Sequence, residues 1–121
     1  MRVLLVEDEF LIREIVVETL RDEGFEVIQA TNGDEAMECC RNGGADVLVT
    51  DIRLPGPVDG WDVAECCRTH HPALHVIYAT GFSPVAHRPV AGSLTLEKPF
   101  HPREIVRAIR QMTQPPEDRT T

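Results

Sequence analysis

Short apolar runs alternate along this chain with segments of helical apolar spacing, and that alternation constrains its fold more than any other feature. It is the pattern of repeated βα units around a parallel sheet. The first run, Val3-Leu4-Leu5-Val6, is continuously apolar, as a strand covered on both faces should be, and Glu7-Asp8-Glu9 closes it. Leu11, Ile12, Ile15, Val16 and Leu20 then mark one helical face, and Gly24 stands where a helix-terminating glycine belongs. Residues 25–30 read as a second strand. Asn32, Gly33 and Asp34 open a helix that points Ala36, Met37 and Cys40 inward and ends at Gly43-Gly44. A third strand is expected over 46–50, a loop over 52–60, a helix over 61–70 closed by Pro72, and a fourth strand over 74–79. From Thr80 to Ser93 the residues Gly81, Pro84, Pro89 and Gly92 leave room for a loop with one short helix. Residues 94–96 make a short fifth strand, and Pro102 begins a last helix with Ile105, Val106, Ile109 and Met112 spaced for burial.

The expectation is one α/β domain of five βα units over residues 1–113, followed by a disordered tail over 114–121, where two prolines and mixed charge leave nothing to bury. A chain of 121 residues has no room for a second folded unit of ordinary size. The net charge of −8 argues against a nucleic-acid surface and favours proteins or cations as partners. No apolar run reaches the roughly 20 residues of a membrane span, and the first residues enter a strand pattern without a signal-peptide layout, so a cytoplasmic location without membrane contact is expected. The four cysteines fall as Cys39-Cys40 and Cys66-Cys67, each pair inside a helical segment and without the C-x-x-C spacing of a zinc or redox site. They read as one buried and one partly exposed thiol per helix. His70, His71, His75, His87 and His101 are scattered and read as solvated or helix-end side chains.

In an open parallel sheet, ligands bind outside the carboxyl ends of the strands. The polar residues expected there are Glu7 and Asp8 after the first strand, Asp51 after the third, Thr80 after the fourth and Lys98 after the fifth. Each alone has an ordinary explanation as a cap or a solvated loop residue. Together they make a site. Carboxylates about 4 Å apart repel by about 4 kcal/mol at an effective dielectric of about 20, so the cluster implies a cation, and hard oxygen ligands suit Mg²⁺. Asp51 is placed to act as a nucleophile toward phosphorus, with Lys98 neutralising phosphoryl oxygens and Thr80 hydrogen-bonding the product.

The segments VLLVEDE, VLVTDIRLPG, VIYATGF and LEKPF, in this order, resemble the successive active-site blocks of response-regulator receiver domains across residues 1–113. The resemblance implies a flavodoxin-like doubly wound sheet of strand order 2-1-3-4-5 and a stand-alone phosphoacceptor in a two-component phosphorelay. It also implies Mg²⁺ dependence and phosphorylation of Asp51 by a sensor histidine kinase or phosphotransfer protein. A downstream protein target, with weak homodimerisation left open, completes the expected partners, and the chain would be no enzyme beyond assisting its own phosphorylation and dephosphorylation. By position within the blocks, Glu7 and Asp8 form the acidic pair, Thr80 is the switch hydroxyl, Lys98 precedes a cis-prone Pro99, and the backbone carbonyl of Arg53 joins the metal ligands.

The departures fall in the output half. Thr95 stands three residues before the lysine, where most receivers carry a Tyr or Phe, and the stretch between Thr80 and Lys98 is short, so the helix between the fourth and fifth strands is expected to be truncated or mobile. Tyr78-Ala79-Thr80-Gly81-Phe82 is similar to the FATGUY subgroup of single-domain receivers, although the Pro-Phe that opens that motif is absent. Two rival readings share parts of this pattern. A haloacid-dehalogenase-type phosphatase needs a second Asp two residues after the nucleophile, where this chain has Arg53. A pseudo-receiver that docks partners without being phosphorylated is disfavoured by the intact acids, threonine and lysine.

Overall fold

In the computed structural model, residues 1–81 and 88–113 are described. Five strands, β1 (Arg2–Val6), β2 (Glu26–Ala30), β3 (Val47–Asp51), β4 (His75–Thr80) and β5 (Leu94–Glu97), form one sheet of order β2-β1-β3-β4-β5 with every neighbouring pair parallel. Four helices lie among the described residues: α1 (Phe10–Asp22), α2 (Gly33–Asn42), α3 (Gly60–His70) and α4 (Pro102–Thr113). The fold is the flavodoxin-like one that the resemblance implied.

Alternate residues of the strands point to opposite faces, and the two faces carry separate cores. Leu4, Val6, Leu48, Val76 and Tyr78 pack with Ala36 and Cys40 of α2 and Val63, Ala64 and Cys67 of α3. Val3, Leu5, Val47, Val49 and Ile77 pack with Val16, Val17 and Leu20 of α1 and Ile105, Val106 and Ile109 of α4. Burial on both faces is why the central strands are written as unbroken apolar runs rather than alternating ones. None of the described helices is long and apolar enough to cross a membrane.

Local signals place the helix starts. Asn32 accepts a hydrogen bond from the Glu35 amide at 2.9 Å and opens α2. Asp59 and Asp62 exchange side-chain and backbone bonds at 2.9 and 3.1 Å in a capping box that opens α3. After α1, Gly24 has φ +90°, a left-handed conformation that glycine adopts without cost, and the chain turns there toward β2.

Two expectations are corrected. The apolar spacing predicts an inward α1 face of Leu11, Ile12, Ile15, Val16 and Leu20, but Leu11 is 72% and Ile15 53% exposed, while Val17 is buried. At about 100° per residue Leu11 lies roughly 140° around the helix from Val16, so docking of Val16, Val17 and Leu20 on the sheet turns it outward. The cysteines show the expected burial, with Cys40 and Cys67 inside and Cys39 and Cys66 partly exposed, but the two buried sulfurs belong to one disulfide. The bridge links the two pairs across α2 and α3, a contact that spacing within either pair could not reveal. Residues 88–93, between β4 and β5, contain no helix, and the short helix expected in that connection falls on 82–87, outside the described residues. The tail over 114–121 also lies outside them.

Candidate functional site

The strand order reverses between β1 and β3, and the crevice at their carboxyl ends is where the sheet leaves room for a ligand. Glu7 follows β1 directly, its amide still bound to the Ala30 carbonyl at 3.1 Å. Asp51 is the last residue of β3. One carboxylate oxygen from each of Glu7, Asp8 and Asp51 falls within 4.8 Å of the others.

From the far side of the crevice, Lys98 Nζ donates to Glu7 Oε1 at 3.0 Å and to Asp51 Oδ2 at 3.0 Å. The side chains of Glu7, Asp51 and Lys98 are only 5%, 11% and 18% exposed, so the ammonium is a shielded counterion between two shielded acids. The Lys98 amide donates to the Thr80 carbonyl at 2.7 Å, which fixes its backbone beside the end of β4; the Lys98-Pro99 bond is cis. Thr80 closes β4 and is buried; Asp8 and Arg53 are exposed, Arg53 in the loop that follows Asp51. The structure thus brings the carboxylates of Glu7, Asp8 and Asp51 together, with Lys98 bonded to Glu7 and Asp51 and Thr80 joined to Lys98 through the backbone.

The electrostatics follow from burial. Desolvation pushes the Glu7 carboxyl above its ordinary value, opposed by the hydrogen bonds from Lys98 and the Glu9 amide. Asp51 is raised for the same reason, again with Lys98 opposing. Burial works against the Lys98 ammonium, yet its hydrogen bonds to Asp51 and Glu7 outweigh it and hold the lysine above its usual range. An all-oxygen donor set with Asp8 open to solvent fits a small hard cation that keeps part of its water shell, as Mg²⁺ does.

Two positioning residues escaped the sequence reading. Arg13 donates through Nη1 to the Glu7 carbonyl at 2.9 Å and so holds the turn that carries the acidic pair. A Cβ added to Gly60 would collide with the Asp51 carbonyl oxygen and stand 2.7 Å from Ile52 Cα; the Gly60 amide also donates to the Ile52 carbonyl at 2.7 Å. Only a residue without a side chain lets α3 begin against the backbone of the Asp51 strand. The Asp-Gly dipeptide ahead of a helix was the available signal, but it reads equally as a turn. Thr95 lies opposite Tyr78 on the exposed edge strand β5.

Comparison with known proteins agrees with this geometry. Residues 3–110 match the model of the response regulator receiver domain. Response regulator receiver protein CpdR of Brucella abortus is 34% identical over 115 residues, covering 92% of this chain and 95% of that protein. Several other curated relatives are matched over only about half of their own length. Among solved structures, a response regulator receiver protein from Sinorhizobium medicae superposes with a TM-score of 0.88 at 35% identity, covering 93% of each chain. Response regulator protein TrrA from Thermotoga maritima, in complex with Mg²⁺-BeF, gives 0.81 at 31% identity, covering 92% of this chain and 97% of that one. With the sheet order, the acid cluster and the family match in agreement, the chain belongs to the response regulator receiver family.

Proposed function

We propose that this chain is a phosphoacceptor of a two-component phosphorelay, taking a phosphoryl group onto Asp51 from a sensor histidine kinase or phosphotransfer protein. The observation that carries the reading is the Lys98 ammonium 3.0 Å from both Glu7 and Asp51 at the end of a central strand. Glu7, Asp8, Asp51 and the Arg53 carbonyl would hold Mg²⁺, which when bound neutralises the acids and the incoming phosphoryl oxygens. An Asp51 carboxylate oxygen attacks phosphorus, the phosphorus–nitrogen bond of the donor phosphohistidine breaks, and the imidazole leaves with the electron pair. Lys98 is already in contact with the attacking carboxylate and can follow its charge onto the acyl phosphate. Thr80, beside Lys98 at the end of β4, would hydrogen-bond the new phosphoryl oxygen and move the segment after it.

The donor's approach is favoured by an apolar rim. Phe10, Leu11 and Ile15 of α1 are 62%, 72% and 53% exposed, and a groove lined by Ile12, Ile15 and Phe100 runs to Lys98. Residues 1–113 would form the whole receiver. The exposed Thr95 beside Tyr78-Ala79-Thr80-Gly81 supports a switch without a rotating aromatic, as in the FATGUY subgroup.

The test is intact-mass spectrometry after incubation with Mg²⁺ and acetyl phosphate. Wild type should gain one phosphoryl group and Asp51→Asn none. Full modification of Asp51→Asn, or none of wild type, would overturn the assignment; the second result would leave the docking-module reading.

A further inference from the structure

We propose that Cys40 and Cys67 form a reversible redox staple between α2 and α3, a modification site separate from the phosphoacceptor and independent of that reading. The two residues are 27 apart in sequence, stand with Cα atoms 5.0 Å apart, and are joined as a disulfide. A Cα separation of this size is within the range that a disulfide spans. Both sulfurs sit in the core beneath the two helices, with Cys40 8% and Cys67 3% exposed.

The location gives the staple its character. Cys40 and Cys67 lie near the carboxyl ends of their helices, while Asp51 lies at the carboxyl end of β3, near where α3 begins. The cross-link therefore closes the end of the α2–α3 face away from the acid cluster. A cleft lined by Gly43, Gly44, Ala45 and His71 runs beside the sulfurs, and Gly43 has open space where a side chain would stand. Cys39 is a poor competitor: burial pushes its thiol up, and Glu35 and Glu38 add repulsion to its thiolate.

In the reductive direction, one thiolate of a dithiol attacks a bridge sulfur, the other cysteine leaves as a thiolate and takes a proton, and the second thiol of the reductant resolves the mixed disulfide. The protein gains two electrons and two protons, and the dithiol becomes a cyclic disulfide. Oxidised glutathione reverses the change through a mixed disulfide, releasing two molecules of reduced glutathione. Cross-linking residues this far apart restricts the unfolded chain, so loss of the bridge should lower the melting temperature by about 10 °C in a domain of this size.

The test uses the whole chain. After equilibration with oxidised glutathione and alkylation, tryptic peptides 22–41 and 54–68 should appear cross-linked in wild type and in the Cys39→Ser/Cys66→Ser variant. They should separate in Cys40→Ser and after dithiothreitol. Dithiothreitol should lower the wild-type melting temperature by about 10 °C and leave that of Cys40→Ser/Cys67→Ser unchanged. The amount of phosphoryl group accepted from acetyl phosphate should be the same in both redox states, which keeps this test separate from that of Asp51. Four alkylatable thiols after oxidation, a cross-link that survives in Cys40→Ser, or a wild-type melting temperature indifferent to reduction would each overturn the proposal.

Discussion

Replacing Lys98 by Met keeps most of the unbranched side chain but removes the charge between Glu7 and Asp51. With carboxylate oxygens within 4.8 Å of one another, the repulsion left behind is about 3.5 kcal/mol at an effective dielectric of about 20. The protein has a cheaper way out, because Glu7 can take up a proton. From its ordinary value of 4.5, holding that carboxyl neutral at pH 7 costs about 3.4 kcal/mol, which caps the loss; at pH 5.5 the cap falls to about 1.4 kcal/mol. Lys98→Met should therefore be destabilised by about 3 kcal/mol at pH 7 in EDTA, or about 10 °C in melting temperature, and by about half of that or less at pH 5.5. Adding Mg²⁺ should recover more stability in the variant than in wild type, since the ion then supplies the missing positive charge. The assay is thermal denaturation by circular dichroism at both pH values, with EDTA or with millimolar Mg²⁺. A loss equal at the two pH values, or one that Mg²⁺ leaves untouched, would show that Lys98 contributes through packing of its stem and not as the counterion of the acids.

Three further outcomes follow from the geometry. Gly60→Ala should cost about 1 to 3 kcal/mol in urea denaturation through the collision with the Asp51 and Ile52 backbone, and should lower phosphoryl acceptance; a fully active variant of wild-type stability would rule that contact unimportant. Asp59→Ala should lose about 1 kcal/mol with the α3 capping box, while Asp59→Asn, which can still accept from the Asp62 amide, should lose less; equal losses would point away from capping. Glu35 is held below its ordinary range by hydrogen bonds from the amide and hydroxyl of Thr31 at 2.7 and 2.8 Å, so its contribution is present above about pH 4.5 and fades as pH falls through the lowered value. The urea midpoints of wild type and Glu35→Gln should differ at pH 6 and converge once the pH falls below the lowered value of Glu35; a gap that persists at the lowest pH would contradict this.

The amino-acid sequence by itself determined the order of the elements and the residues of the acid cluster. Burial on both faces writes an unbroken apolar run such as Val3-Leu4-Leu5-Val6, and helix ends are written locally, as at Asn32, Gly24 and Pro102. Glu7, Asp8, Asp51, Thr80 and Lys98 were legible as a group because each stands at or just past the carboxyl end of a strand, and a parallel sheet brings all such positions to one edge. Strand order came from the family resemblance and not from periodicity, which carries no information about neighbours. Only the tertiary structure decided which side of α1 is covered, because Leu11 and Ile15 are as apolar as Val16 and Val17, and the docking angle chooses among them. It also decided that Lys98 serves Glu7 and Asp51 together, that Gly60 lies against the Asp51 carbonyl, and that Cys40 faces Cys67. Each of these joins residues on different elements, and their separation depends on how strands and helices settle against one another, which local spacing cannot encode.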